Sequence, residues 1–148
     1  MVNKYIPKNR KEAYIRLLME RSNIQKSFPN FLTHVNGDTL VSTGPIQPTE
    51  YSQKYTIKIT YRWNNNPKVI IVHPKIQFDK NIHMYSDGTL CLYYWKEQPW
   101  QNTFHINETI IPWVAEWLVH YEIYELTGKW LGQAVEHSGD KQKEATIN

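Results

Sequence analysis

The stretch that decides the fold is Tyr55-Thr56-Ile57-Lys58-Ile59-Thr60-Tyr61, a polar break at Asn64-Asn65-Asn66-Pro67, and then Lys68-Val69-Ile70-Ile71-Val72. Tyr55, Ile57, Ile59 and Tyr61 alternate with the other residues of the first run, so a strand here places all four on one face. The Asn-Pro break is a turn, and the apolar run after it predicts a strand buried more fully than its neighbour. Working back, residues 31–35 lead into Asn36-Gly37-Asp38, a strong hairpin signal, and residues 39–43 follow as a second strand. Gly44-Pro45-Ile46-Gln47-Pro48 reads as a loop. The four segments make an antiparallel meander.

Helical spacing flanks the meander. Over residues 9–26, Tyr14, Leu17, Leu18 and Ile24 fall on one face, while Arg10, Lys11, Glu12, Arg16 and Glu20 form a solvated one. Phe28-Pro29 stops this helix. A second helix is predicted over residues 109–127, with Ile110, Ile111, Val114, Trp117, Leu118 and Tyr121 as its apolar stripe. Pro112 is tolerable in its first turn, and Gly128 suits its C-terminal cap. A third short element is expected within residues 129–135, and residues 138–148 read as a flexible polar tail. The expected architecture is α+β, a single domain over residues 1–137. Residues 75–105 have turn signals and aromatics but no period, and long irregular segments in compact domains are often functional.

Bulk properties narrow the function. A chain of 148 residues, 41% hydrophobic and 14% aromatic, can bury one full core. The net charge of +3 is mild, its Lys and Arg residues are scattered, and the aromatics follow core periodicity, so a nucleic-acid partner is not expected. The most apolar segment, residues 110–118, is interrupted by Pro112 and Glu116, which argues against a membrane span. No secretory pattern opens the sequence, and a cytoplasmic protein is expected. Scattered histidines and a single cysteine offer no paired metal-ligand spacing, and no glycine-rich phosphate loop occurs, so neither metal nor cofactor is expected.

That single cysteine, Cys91, follows a glycine turn in Asp87-Gly88-Thr89-Leu90-Cys91-Leu92. Free cysteines are most often small buried core residues. Here the turn and the flanking leucines would fix the thiol, an arrangement that suits a nucleophile. A thiol with pKa near about 8.5 is already partly thiolate at neutral pH and reacts without a dedicated base.

The order of helix, four-strand meander, irregular cysteine-bearing segment and helix resembles the ubiquitin-conjugating (UBC) enzyme fold over residues 9–127. Gly88-Thr89-Leu90-Cys91-Leu92 resembles the family's cysteine motif without a gap, Trp100 stands near its downstream tryptophan, and Gly44-Pro45 is similar to its Gly-Pro after the second strand. The family's His-Pro-Asn triplet is altered. In gapless register Asn81-Ile82-His83 replaces it, with His83 at the oxyanion-stabilising asparagine; a register that aligns the histidines places Tyr85 there instead. The run from His83 to Leu92, with Ile111-Pro112-Trp113, Trp117-Leu118, Tyr121-Glu122 and 127–132 (TGKWLG), resembles stand-alone bacterial conjugating-like proteins of CBASS anti-phage defence, in the short type II arrangement.

The resemblance implies a thioester-forming enzyme acting on a protein C-terminus. The implied partner is a cyclic-oligonucleotide synthase of the nucleotidyltransferase type, with an activating enzyme or ubiquitin-like protein as a further partner. It implies Cys91 as nucleophile and His83 as oxyanion donor, with Asn81 and Tyr85 as loop-bracing or donor candidates. Asp87-Gly88 would form the turn that presents the thiol, and Trp100 would pack beneath the loop. Trp113, His120 and Trp130 lie partly off the main stripe and mark either a partner surface or a second packed face. The altered triplet leaves room for a different class of function, a non-catalytic protein-binding module on the same fold.

Overall fold

The computed structural model describes residues 10–92 and 100–131. Within them, helix α1 (Arg10–Ser27) precedes strands β1 (Leu32–Asn36), β2 (Thr39–Ile46), β3 (Tyr55–Arg62) and β4 (Lys68–His73), and helix α2 (Ile110–Thr127) follows a long connection. The four strands form one antiparallel sheet in the order β1-β2-β3-β4. The architecture is therefore α+β, as the sequence patterning predicted.

α1 buries Ala13, Leu17, Glu20 and Ile24, a stripe with four-three-four spacing. The expected inward face is thus rotated: Tyr14 is 41% exposed, and Ala13 and Glu20 take the inward positions. The chain leaves the helix with the Phe28 N–H still bonded to the Ile24 carbonyl at 2.7 Å. Between β1 and β2, Asn36 pairs with Thr39, which leaves Gly37 and Asp38 as the loop. Gly37 has φ +63°, and a positive φ at this position suits a two-residue hairpin between right-twisted strands.

Two expectations about the strands change. β2 does not stop at Thr43 but runs to Ile46, with Gly44 opposite Ile57, Pro45 opposite Thr56 and Ile46 opposite Tyr55. β1 reaches only as far as the pair Leu32 and Thr43, so Pro45 lies on an open edge, where a missing N–H breaks no ladder bond. β4 is one-sided rather than more fully buried. Val69 and Ile71 face the core, while Ile70 and Val72 are 36% and 46% exposed. β3 fits its reading: Tyr55, Ile57, Ile59 and Tyr61 are all buried.

The inner face of the sheet, the buried stripe of α1, and Ile110, Ile111, Val114, Trp117 and Leu118 of α2 share one hydrophobic core. The buried hydroxyls of Thr33 and Ser42, cross-strand partners, satisfy each other at 2.7 Å. Polar clamps hold the helices to the rest. Glu20 of α1 accepts the Ile106 N–H at 2.9 Å, and its other oxygen lies 2.7 Å from His105 Nδ1. Glu122 of α2 accepts the Ser52 hydroxyl at 2.7 Å and the Tyr55 hydroxyl at 2.8 Å. Gly128, at φ +73°, closes α2 by donating its N–H to the Tyr124 carbonyl. Residues 129–131 after it are not helical, and the remainder of the expected third element lies outside the described residues, as does the tail. Among the described residues no helix is long and apolar enough to cross a membrane.

Candidate active site

The irregular connection has local order where it passes β4. Asp79 Oδ1 accepts the Asn81 N–H at 2.9 Å and so caps a single 3-10 turn, Lys80–Ile82. His83 ends that turn in the left-handed region, at φ 54° and ψ 57°. A non-glycine residue in that region marks a position the surroundings impose.

From His83 the chain folds back on itself as a small hairpin. Met84 bridges Leu90, the Tyr85 N–H donates to the Thr89 carbonyl at 2.8 Å, and the Cys91 N–H donates to the His83 carbonyl at 2.9 Å. The Gly88 N–H returns to the Tyr85 carbonyl at 2.9 Å, and Gly88 supplies the positive φ of the turn. Asp87 Oδ1 accepts both the N–H and the hydroxyl of Thr89, at 2.9 and 2.6 Å. These bonds hold the Asp87 carboxyl below the usual carboxylate range. The hairpin is anchored on the sheet, since the Leu90 N–H donates to the Val69 carbonyl at 2.9 Å.

Side chains alternate across such a pair. Met84 and Leu90 point into the core, where both are buried. Tyr85 and Cys91 share the other face as diagonal neighbours. Cys91 Sγ and Tyr85 Oη lie 3.3 Å apart, with the thiol able to donate to the phenol and, once ionised, to accept from it. Cys91 is 3% exposed and Tyr85 45%, so the sulfur sits beneath a half-open phenol. Burial pushes the Cys91 thiol up from its ordinary value, and the phenol contact opposes that push.

α2 closes the inner side. Trp117 donates its indole N–H to the His83 carbonyl at 3.1 Å, the same oxygen that accepts the Cys91 amide. The His83 ring packs on Trp130 with centroids 5.1 Å apart; Trp130 also meets Trp117 at 5.4 Å and His120 at 5.7 Å. Two turns beyond Trp117, the Tyr124 hydroxyl donates to Asp79 Oδ2 at 3.1 Å, and Asn81 lies beside that hydroxyl.

Of the residues singled out in the sequence, Asn81, His83, Tyr85, Asp87, Gly88 and Cys91 lie in one hairpin and the turn before it. Tyr85 is the side chain brought to the sulfur. His83 supplies its carbonyl to the Cys91 amide and its ring to Trp130. Trp100 is buried, edge-on to Tyr61 at 5.5 Å and to Phe104 at 5.7 Å. Trp130 and His120 belong to a second packed face, and Trp113 meets Phe104 edge-on at 6.5 Å. Sequence reasoning missed the donors Trp117 and Tyr124, although their seven-residue spacing places them on one side of α2. Among the described residues no three His, Cys, Asp or Glu side chains are grouped to hold a metal ion.

A family model, Type II CBASS E2 protein, matches residues 20–138. The chain belongs to that family. The match runs from the second half of α1 across the sheet, the Cys91 hairpin and α2, so the site described above lies inside it. A Type II CBASS E2 protein is conjugating-enzyme-like and works within an anti-phage system, alongside a protein partner of that system. No curated protein matches the sequence.

Proposed function

We propose that this Type II CBASS E2 protein has the ubiquitin-conjugating fold and that Cys91 takes up the C-terminus of a protein partner as a thioester. The observation that carries the reading is the 3.3 Å contact between the sulfur and the Tyr85 hydroxyl, at the chain's one cysteine. The Cys91 thiolate attacks the carbonyl carbon of an activated C-terminus. The C–S bond forms, and the activating group leaves with the electron pair of the broken bond. An acceptor amine then attacks the thioester carbon, the C–N bond forms, and the sulfur departs as thiolate while the amine proton passes to solvent.

Tyr85 suits the role of donor. Its O–H on the sulfur favours the thiolate, and a phenol beside the attacking sulfur is near the carbonyl oxygen that becomes the oxyanion. Such a donor is typically worth about a hundredfold to a thousandfold in rate. We assign His83 the placing of the hairpin, through its carbonyl, in preference to donation by its ring. The C-terminus taken up is that of a cyclic-oligonucleotide synthase, activated by a separate protein in the cytoplasm.

Incubating the protein with the activated partner should yield an adduct that dithiothreitol cleaves and that Cys91→Ala does not form. A wild-type protein that forms none sinks the reading. The burial of the thiol favours one other function, a protein-binding module in which Cys91 is a core residue. It predicts no adduct, with partner binding preserved in Cys91→Ala.

A further inference from the structure

The contacts that set the Cys91 backbone come from α2. The His83 carbonyl is shared by the Cys91 amide at 2.9 Å and the Trp117 indole N–H at 3.1 Å. The Asp79 carboxylate is shared in the same manner: Oδ1 takes the Asn81 N–H, and Oδ2 takes the Tyr124 hydroxyl at 3.1 Å. Asp79 and His83 are the two ends of the 3-10 turn. Trp117 and Tyr124, seven residues apart on α2, therefore hold that turn at both ends, and the second end is the residue opposite Cys91.

We propose that Trp117 and Tyr124 are positioning residues for Cys91, two side-chain donors of α2 that fix the turn Asp79–His83 and through it the backbone of the nucleophile. Their hydrogen bonds go to the turn, whereas the sulfur's goes to Tyr85. The left-handed His83 has its φ imposed from outside, and a buried N–H aimed at its carbonyl supplies the restraint. α2 is itself fixed in the core by Val114 and Leu118 and on the sheet by Glu122. Tyr124→Phe leaves the core untouched, and Trp117→Phe keeps an aromatic ring in it; either frees the turn and lets the hairpin drift. Misplacing a nucleophile slows the chemical step without weakening the capture of the partner.

The inference rests on the thioester reading for its kinetic arm only. Trp117→Phe keeps an aromatic ring and removes the N–H; Tyr124→Phe removes one oxygen and remains as the test should the first variant fail to fold. Trp63→Phe is the control, because the buried Trp63 indole nitrogen has no hydrogen-bond partner among the described residues. For each variant, thioester formation is followed against partner concentration, and Cys91 is alkylated with iodoacetamide from pH 7 to pH 10. With one cysteine in the chain, alkylation reports Cys91 alone.

Each positioning variant is expected to lower kcat by about tenfold, the scale of one neutral hydrogen bond, with the half-saturating partner concentration within about twofold of wild type. Alkylation is expected to quicken several-fold as the sulfur loses cover, and Trp63→Phe to behave as wild type. Unchanged alkylation in both variants, unchanged kcat in both, or the same changes in Trp63→Phe overturns the proposal. If wild type forms no thioester, the proposed function fails. The alkylation profiles then decide the positioning role alone.

Discussion

The Cys91 thiol is pulled in two directions. Burial removes the water that would stabilise a thiolate, and the Tyr85 hydroxyl restores part of that stabilisation. Burial is the larger cause, so the thiol titrates above its ordinary value of about 8.5. The folded state holds the proton more tightly than the unfolded one, so its contribution to stability is complete below the unfolded thiol pKa. It is lost as pH rises through the raised value. Alkylation by iodoacetamide should accordingly climb with pH to a midpoint above about 8.5. Tyr85→Phe removes the lowering contact and leaves the burial, so its midpoint moves further up and its rate at pH 8 falls several-fold. An unchanged midpoint would mean that the phenol does not attend the sulfur in solution. His83→Ala separates the two candidate donors. It keeps the carbonyl and the Tyr85 contact, so the midpoint stays near wild type if the imidazole is not the group that serves the thiol.

Among the elements, β2 shows why a turn-forming pair of residues can lie within a strand. Gly44-Pro45 has the composition of a loop, yet Ile57 and Thr56 of β3 pair alongside it. β1 ends one residue earlier, so no neighbour needs the proline N–H. The glycine is required for packing, because the Phe31 ring occupies the place a Cβ would take. Gly44→Ala therefore overpacks the core and should cost about 1–3 kcal/mol, seen as a lowered urea midpoint with an unchanged slope. Phe31→Leu in the same chain should recover part of the loss, since two residues in contact do not act additively.

The alternation of Tyr55, Ile57, Ile59 and Tyr61 was legible because one face meets the core and the other does not. The Gly128 cap was legible because only a residue tolerant of positive φ ends a helix that way. Pairing partners decide where β2 ends, and the lack of cover on the outer face of the sheet decides the exposure of Ile70 and Val72; neither is a local property of those residues. At the site, Cys91 was legible as the single thiol after a glycine turn. Its relation to Tyr85 could have been counted across the Asp87-Gly88 turn, since alternation puts both on one face of a hairpin. The part played by Trp117 depends on where α2 crosses the loop, which no spacing within either segment reveals.

At the scale of the whole molecule, buried or half-buried carboxylates join elements that the apolar core alone leaves free to slide. Glu20 joins α1 to the residues entering α2, Glu122 joins α2 to β3 and the loop before it, and Asp79 joins the active-site turn to Tyr124. Glu20 is the most deeply placed, at 6% exposure, and it satisfies the N–H of Ile106, which is itself buried. Glu20→Ala leaves that N–H without its acceptor and should destabilise the fold by about 1–3 kcal/mol. For a chain of this size that lowers Tm by roughly 2–4 °C per kcal/mol, measurable by calorimetry. The loss should stay away from the thiol. Glu20 secures the entry to α2, whereas Trp117, Glu122 and Tyr124 lie further along the helix with their own partners. Below its unfolding transition, Glu20→Ala should therefore show the wild-type pH profile of Cys91 alkylation. A shift as large as that caused by Trp117→Phe would mean that the hairpin is held by the packing of the whole α+β body, and that α2 has no privileged grip on the nucleophile.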